Sequence, residues 1–131
     1  MIANGVDIVD CSRMEKALSR HEGAFNRRVY TAAEEAICLA KGKHATESFA
    51  ARYAAKEAVS KALGTGIGPE GVSLQDIEIL AHENESPYVV LHEAALHKYE
   101  AMHGKCIAIS LSHDGGMAIA FCTIEYEGAE K

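Results

Sequence analysis

The stretch from Glu47 to Leu63 constrains this chain more than any other. Ala50, Ala51, Ala54, Ala55, Ala58 and Ala62 are interleaved there with Arg52, Lys56, Glu57, Lys61 and Leu63, all strong helix formers. Gly64 follows at the point where a helix stops most easily on a residue of positive φ. The pattern predicts one helix of about five turns. Among 131 residues there is no Trp, so the core is left to aliphatic and Ala side chains, which suits tight packing around such a helix. With 48% hydrophobic and 24% charged residues, the composition is that of one globular domain over residues 1–131, able to close a core without disulfides or a structural metal.

The other segments place strands and shorter helices around it. The start of the chain to Asp10 is apolar and β-branched and reads as a strand. Ser12 is placed to cap a helix over 13–20, where Met14, Ala17 and Leu18 share one face and Arg13, Lys16 and Arg20 another. Thr31 and Glu34 form a capping-box pattern for a helix running to about Lys41, ended by Gly42, with a polar linker from Lys43 to Thr46. Thr65 to Gly71 is a glycine-rich loop containing Pro69. Strands are expected over Val72–Leu80 and, after the turn residues Asn84 to Pro87, over Tyr88–Leu91. His92–His103 reads as a helix closed by Gly104. Cys106–Ser112 and Met117–Glu125 read as a hairpin through Asp114, Gly115 and Gly116. The sum is an α+β fold, a compact single domain with antiparallel strands packed against a long central helix.

Several classes of function are excluded or disfavoured at this point. The formal charge of −6 argues against a general nucleic-acid binder. No apolar run reaches the roughly 20 residues of a membrane span, and the first residues lack the pattern of a secretory signal. Cys11, Cys38, Cys106 and Cys122 are far apart and form no C-x-x-C pair, so they read as small core residues in a reducing, cytoplasmic setting. His92 and Glu93 begin a zinc-protease pattern, but the second histidine position is Leu96. His97 lies about 140° around the helix, so the two imidazoles cannot share a zinc.

Three groupings carry chemistry. Asp7 ends an apolar strand, and Glu57 lies one helical turn before Lys61, about 40° apart around the axis, on a stripe continued by Tyr53 and Phe49. Two carboxylates from distant segments suit magnesium, which keeps several waters and completes its shell with a substrate phosphate; Lys61 adds a point charge. Spacing alone also allows a surface Glu–Lys pair and a strand-end Asp. The second grouping, Gly64 to Gly68, lets backbone amides approach a phosphate, or serves only as a helix stop and turn. The third, Ser112, His113 and Asp114, offers an imidazolium or a proton relay, or a solvated loop. Arg13, Lys16 and Arg20, joined by Arg27 and Arg28, make a positive patch on a negative chain that can steer an acidic protein.

Taken together these residues resemble the holo-acyl-carrier-protein synthases, the short class of 4′-phosphopantetheinyl transferases. The blocks that carry the likeness are Gly5 Val6 Asp7 Ile8 Val9, the long stretch from Phe49 to Ile67, and Leu111 Ser112 His113, with Phe25, Arg28, Thr31 and Glu34 between the first two. The resemblance implies the fold of that family and transfer of 4′-phosphopantetheine from coenzyme A to a serine of apo acyl carrier protein, releasing 3′,5′-ADP. It implies Asp7 and Glu57 as ligands of Mg2+ at the pyrophosphate, and Asp7, Glu57, Lys61 and His113 as catalytic residues. Arg52, Lys61, Gly64, Gly66, Pro87 and His113 would bind coenzyme A, and Arg13, Met14, Leu18, Arg20 and Arg28 the carrier protein. Glu57, a metal-bound water and Asp114 are the candidate acceptors of the serine proton. Arg52 lies about 140° around the helix from Glu57. The resemblance to short, homotrimeric members therefore implies that Arg52 serves the coenzyme A of a neighbouring subunit. Asn4 and Ala3 stand where the family has an apolar residue and a further glycine, and the turn before Pro87 lacks the family's glycine.

Overall fold

The computed structural model describes residues 1–68 and 71–128; Pro69 of the glycine-rich loop lies outside them. The elements run β1 (Ile2–Asp10), α1 (Cys11–Ser19), α2 (Ala24–Val29), α3 (Ala32–Leu39), α4 (Ala45–Leu63), β2 (Ile77–Ala81), β3 (Pro87–Leu91), α5 (Glu93–Ala101), β4 (Gly104–Asp114) and β5 (Met117–Tyr126). β1, β5 and β4 form an antiparallel sheet in that order, and β2 and β3 a separate hairpin. This is an α+β fold. Two buried clusters meet along α4: Ala54, Ala55, Ala58, Val59 and Leu63 pack with β2 and β5, while Phe49 and Ala50 pack with Met14, Val29, Tyr30 and Cys38.

α4 is buried nearly all round, which is why it is built from alanine: small side chains let several elements approach its axis. The closest approach is at Gly5 of β1, where a Cβ would lie 1.9 Å from the carbonyl oxygen of Ala58. Only glycine lets β1 cross there. Gly64 ends α4 at φ 85°, as the sequence predicts. The Thr31–Glu34 capping box is present at the start of α3.

Four local expectations are corrected. Asp10, not Ser12, caps α1: its Oδ1 accepts from the Ser12 amide at 2.8 Å and from the Ser12 hydroxyl at 2.7 Å. Lys43 to Thr46 is not a linker, because a 3-10 turn (Gly42–His44) runs straight into α4. The segment before Ile77 is a 3-10 turn (Leu74–Asp76) closed by Ser73 and Asp76, so the strand starts later than predicted. Gly104 opens β4 instead of closing α5; a Cβ there would sit 2.1 Å from the Tyr99 ring.

The β1–β5–β4 sheet is covered by α4 on one face only. On the other, Val6 pairs across to Phe121 and Ile8 to Ile119, and all four are between 41% and 58% exposed. The facing positions on β4, Ser110 and Ser112, are small and exposed. A contiguous aliphatic and aromatic patch in the middle of a sheet is an incomplete surface for a single chain in water.

Candidate active site

Asp7 follows Gly5 by two residues, so the close crossing of β1 over α4 brings its carboxylate to the last turns of that helix. Lys61 Nζ donates to Asp7 Oδ1 at 3.2 Å and to the Val6 carbonyl oxygen at 2.9 Å. Glu57, one turn earlier, opens with Asp7 onto a cleft of about 630 Å³ whose lining includes Tyr53, Phe25, Arg13, Lys16 and Arg20. The structure thus brings together Asp7, Glu57, Lys61 and much of the basic stripe of α1.

The two carboxylates of this cleft oppose one another. Partial burial pushes the Glu57 carboxyl above the ordinary range, and the nearby Asp7 carboxylate pushes the same way; Lys61 and the Tyr53 hydroxyl pull it back only in part. The Tyr53 hydroxyl is itself raised, first by burial and then by Glu57 and Asp7. Among the described residues no group of three or more His, Cys, Asp or Glu side chains is gathered for a metal. The donor set is therefore two carboxylates. That does not suit a caged structural ion, but it fits a hard divalent cation that takes the rest of its shell from water and phosphate oxygens.

Arg52 and His113 are elsewhere. They line a second cleft, of about 260 Å³, with Lys41, His44, Glu47 and Ser48. Arg52 is buried, its Nε donating to the Ile79 carbonyl oxygen at 3.2 Å and a terminal nitrogen to the Ser48 hydroxyl at 2.9 Å. Lys41 pairs with Glu85 in the β2–β3 turn, just ahead of Pro87 at the start of β3. Within one chain, Arg52 and His113 thus line a different cleft from Asp7 and Glu57.

Three further expectations change. Met14 is 4% exposed and packed in the core with the Tyr30 hydroxyl 3.6 Å from its sulfur, so it reaches the surface only as part of the cleft lining; Leu18 is half-buried beside it. Arg28 does not line the main cleft; it lies over the Phe25 ring at 6.0 Å. The amides of Gly64, Thr65 and Gly66 all donate to the Ser60 carbonyl oxygen, at 3.1–3.2 Å, so they close the helix and are not offered to an anion. Gly66, at φ 63°, keeps that turn left-handed.

Tyr53, read from the sequence only as part of an apolar strip, belongs to the acid pair, and its i, i+4 spacing to Glu57 is the signal for it. Lys41, His44 and Glu47 had no such signal, because only the fold brings the end of β4 to the start of α4.

An acid pair and a lysine at the helix crossing, opening on a cationic wall, form an arrangement suited to an anionic phosphate ester. The model of the 4′-phosphopantetheinyl transferase superfamily matches residues 3–122, and the chain belongs to that family. It is 41% identical to the holo-[acyl-carrier-protein] synthase of Moorella thermoacetica over 131 residues, covering 100% of this chain and 99% of that one. It superposes on the Helicobacter pylori holo-[acyl-carrier-protein] synthase in complex with coenzyme A with a TM-score of 0.79 at 36% identity, covering 95% of this chain and 100% of that one. The Bacillus anthracis holo-(acyl-carrier-protein) synthase in complex with CoA (3′,5′-ADP) gives 0.76 at 34% identity, covering 95% and 96%.

Proposed function

We propose that this protein transfers the 4′-phosphopantetheine group of coenzyme A to a serine of apo acyl carrier protein, releasing 3′,5′-ADP. The observation that carries the reading is the convergence of Asp7 and Glu57 on one cleft with Arg13, Lys16 and Arg20 along its wall, and Lys61 paired with Asp7 beside it. A reacting diphosphate needs its charge met and its phosphorus held in line with the incoming hydroxyl, and this arrangement supports both. Asp7 and Glu57 would hold magnesium, which supplies neutralisation of the diphosphate when bound. Lys61, fixed by the Val6 carbonyl, places its charge beside the same group. The serine oxygen forms the new bond to phosphorus, the bond to the ADP oxygen breaks, and the serine proton passes to a base. Glu57, which lines the cleft, suits that role better than the exposed Asp114, which does not.

Arg13 and Arg20, with Lys16 between them, would dock the acidic carrier at the mouth of the cleft, helped by Arg28 over Phe25 and by the exposed part of Leu18. Arg52, His113 and the Pro87 strand would serve the nucleotide end of coenzyme A bound mainly to a neighbouring subunit. Gly64 and Gly66 would shape the turn that presents Lys61. The open sheet face and the division of the site between two clefts both favour a homotrimer whose active sites lie between subunits. The activity would belong to one domain over residues 1–131, working in the cytoplasm.

The test is mass spectrometry of apo carrier protein after incubation with coenzyme A, magnesium and this protein. A gain equal to phosphopantetheine, lost when magnesium is chelated, is expected. An unmodified carrier with intact coenzyme A would leave only a binding module, and cleavage of coenzyme A without carrier modification would indicate a hydrolase.

A further inference from the structure

Glu47 occupies the second cleft in an unusual way. Its Oε2 lies 3.4 Å from His44 Nδ1 and 3.5 Å from His113 Nδ1, so one carboxylate oxygen sits between two imidazoles. Among the described residues Glu47 pairs with no lysine or arginine. The cations that share the cleft are engaged elsewhere: Lys41 with Glu85, and Arg52 with Ser48 and Ile79. Cys11, whose thiol burial pushes up, feels Glu47 from the side of α1.

The geometry matters because the two nitrogens of an imidazole point in different directions. At 3.4 and 3.5 Å these are charge contacts and not hydrogen bonds, but a protonated ring whose Nδ1 edge is drawn to a carboxylate has Nε2 left for something else. His113 is 56% exposed on β4 close to its hairpin end, where little packing would otherwise fix its ring. Glu47 reaches it from the first turn of α4 and also reaches His44 just before that helix. Its carboxylate links the strand end to the helix start through side chains.

We infer that Glu47 is a positioning residue that turns Nε2 of His113 toward the phosphate on the ribose of coenzyme A, with His44 locked beside it. The inference rests on the proposed transfer reaction and on the assignment of Arg52 and His113 to the nucleotide end. Glu47 touches no substrate itself. Its carboxylate would by simple charge repel a phosphate, so the two effects predict opposite signs when it is removed.

The experiment compares wild type, Glu47→Ala and Glu47→Gln in the carrier-protein transfer assay, with coenzyme A and with its analogue lacking the ribose 3′-phosphate. Alanine is expected to raise KM for coenzyme A about three- to tenfold, the scale of one partly exposed charge-assisted contact. KM for the analogue should change less than about twofold, since the oriented group no longer has a target. Glutamine, which keeps the shape but not the charge, should behave like alanine. Equal changes for both substrates, or a loss carried by kcat, would reduce Glu47 to a structural part of α4 and overturn the inference. A lower KM for coenzyme A in Glu47→Ala would overturn it in favour of repulsion. If wild type itself does not distinguish coenzyme A from the analogue, the nucleotide-end assignment fails and the inference with it. If wild type transfers nothing from either, the proposed function fails.

Discussion

Glu57 is a side chain held against its own preference. A carboxyl whose pKa is raised in the fold binds its proton more tightly folded than unfolded. Folding is therefore opposed by this group once the pH exceeds the ordinary carboxylate range, and the opposition persists through neutral pH. Glu57→Gln removes it. The metal-free variant is expected to melt at least as high as wild type at pH 7, by differential scanning calorimetry, with the difference shrinking toward pH 4. It should lose about a hundredfold or more in transfer rate, the scale of a lost acid–base group. A variant that melts lower at neutral pH, or that keeps its rate, would contradict the account. Asp7 and Glu57 were legible as a pair from the sequence through the family likeness, whereas their repulsion was not, because it depends on a strand crossing that only Gly5 permits.

At the level of elements, α4 is held by two devices of different visibility. Gly5 was legible as part of a short block that carries the family likeness, but its reason is the 1.9 Å approach to Ala58, a contact between residues far apart in the chain. Gly5→Ala should cost about 3 kcal/mol by forced separation of β1 from α4, seen as a fall of roughly 10 °C in melting temperature. The second device was invisible. Lys56 and Glu34 are both fully buried; Lys56 Nζ donates to Glu34 Oε1 at 2.8 Å and to the carbonyl oxygens of Leu74 and Ile77. Glu34 also accepts from the Thr31 and Ile79 amides, so one ion pair joins α3, α4 and β2. In sequence Glu34 explains itself as a capping residue, and Lys56 as one more polar position on a helix, which is why neither advertises the pair. Lys56→Met alone should destabilise by about 3–5 kcal/mol, leaving a carboxylate buried without its cation, while Lys56→Met with Glu34→Gln should recover part of that loss in denaturant unfolding. A double-variant loss equal to the sum of the Lys56→Met and Glu34→Gln losses would mean that the two residues act independently. α2 was missed altogether: it has six residues, and Gly23 starts it without a side-chain cap.

For the whole molecule, the sequence indicated a division of labour through the angle between Arg52 and Glu57 on one helix, and the structure puts the two in different clefts. What periodicity could not reveal is which surfaces are left uncovered, because alternation in β1 and β5 looks the same whether the outer face meets water or another copy. Mixed assemblies test the composite site. Glu57→Gln and His113→Ala proteins, each inactive or impaired alone, should regain a measurable fraction of wild-type transfer when refolded or co-expressed together, since some interfaces then combine two intact halves. Mixtures no better than their parents would place every functional group within one protomer.

The bare patch of Val6, Ile8, Ile119 and Phe121 then has a consequence for catalysis as well as for solubility. If the chain completes its reaction centre only by burying that patch against its own kind, turnover per polypeptide should not be constant but should decline as the enzyme is diluted below the concentration at which copies stay associated. The cell would thereby hold an enzyme whose specific rate depends on its own abundance.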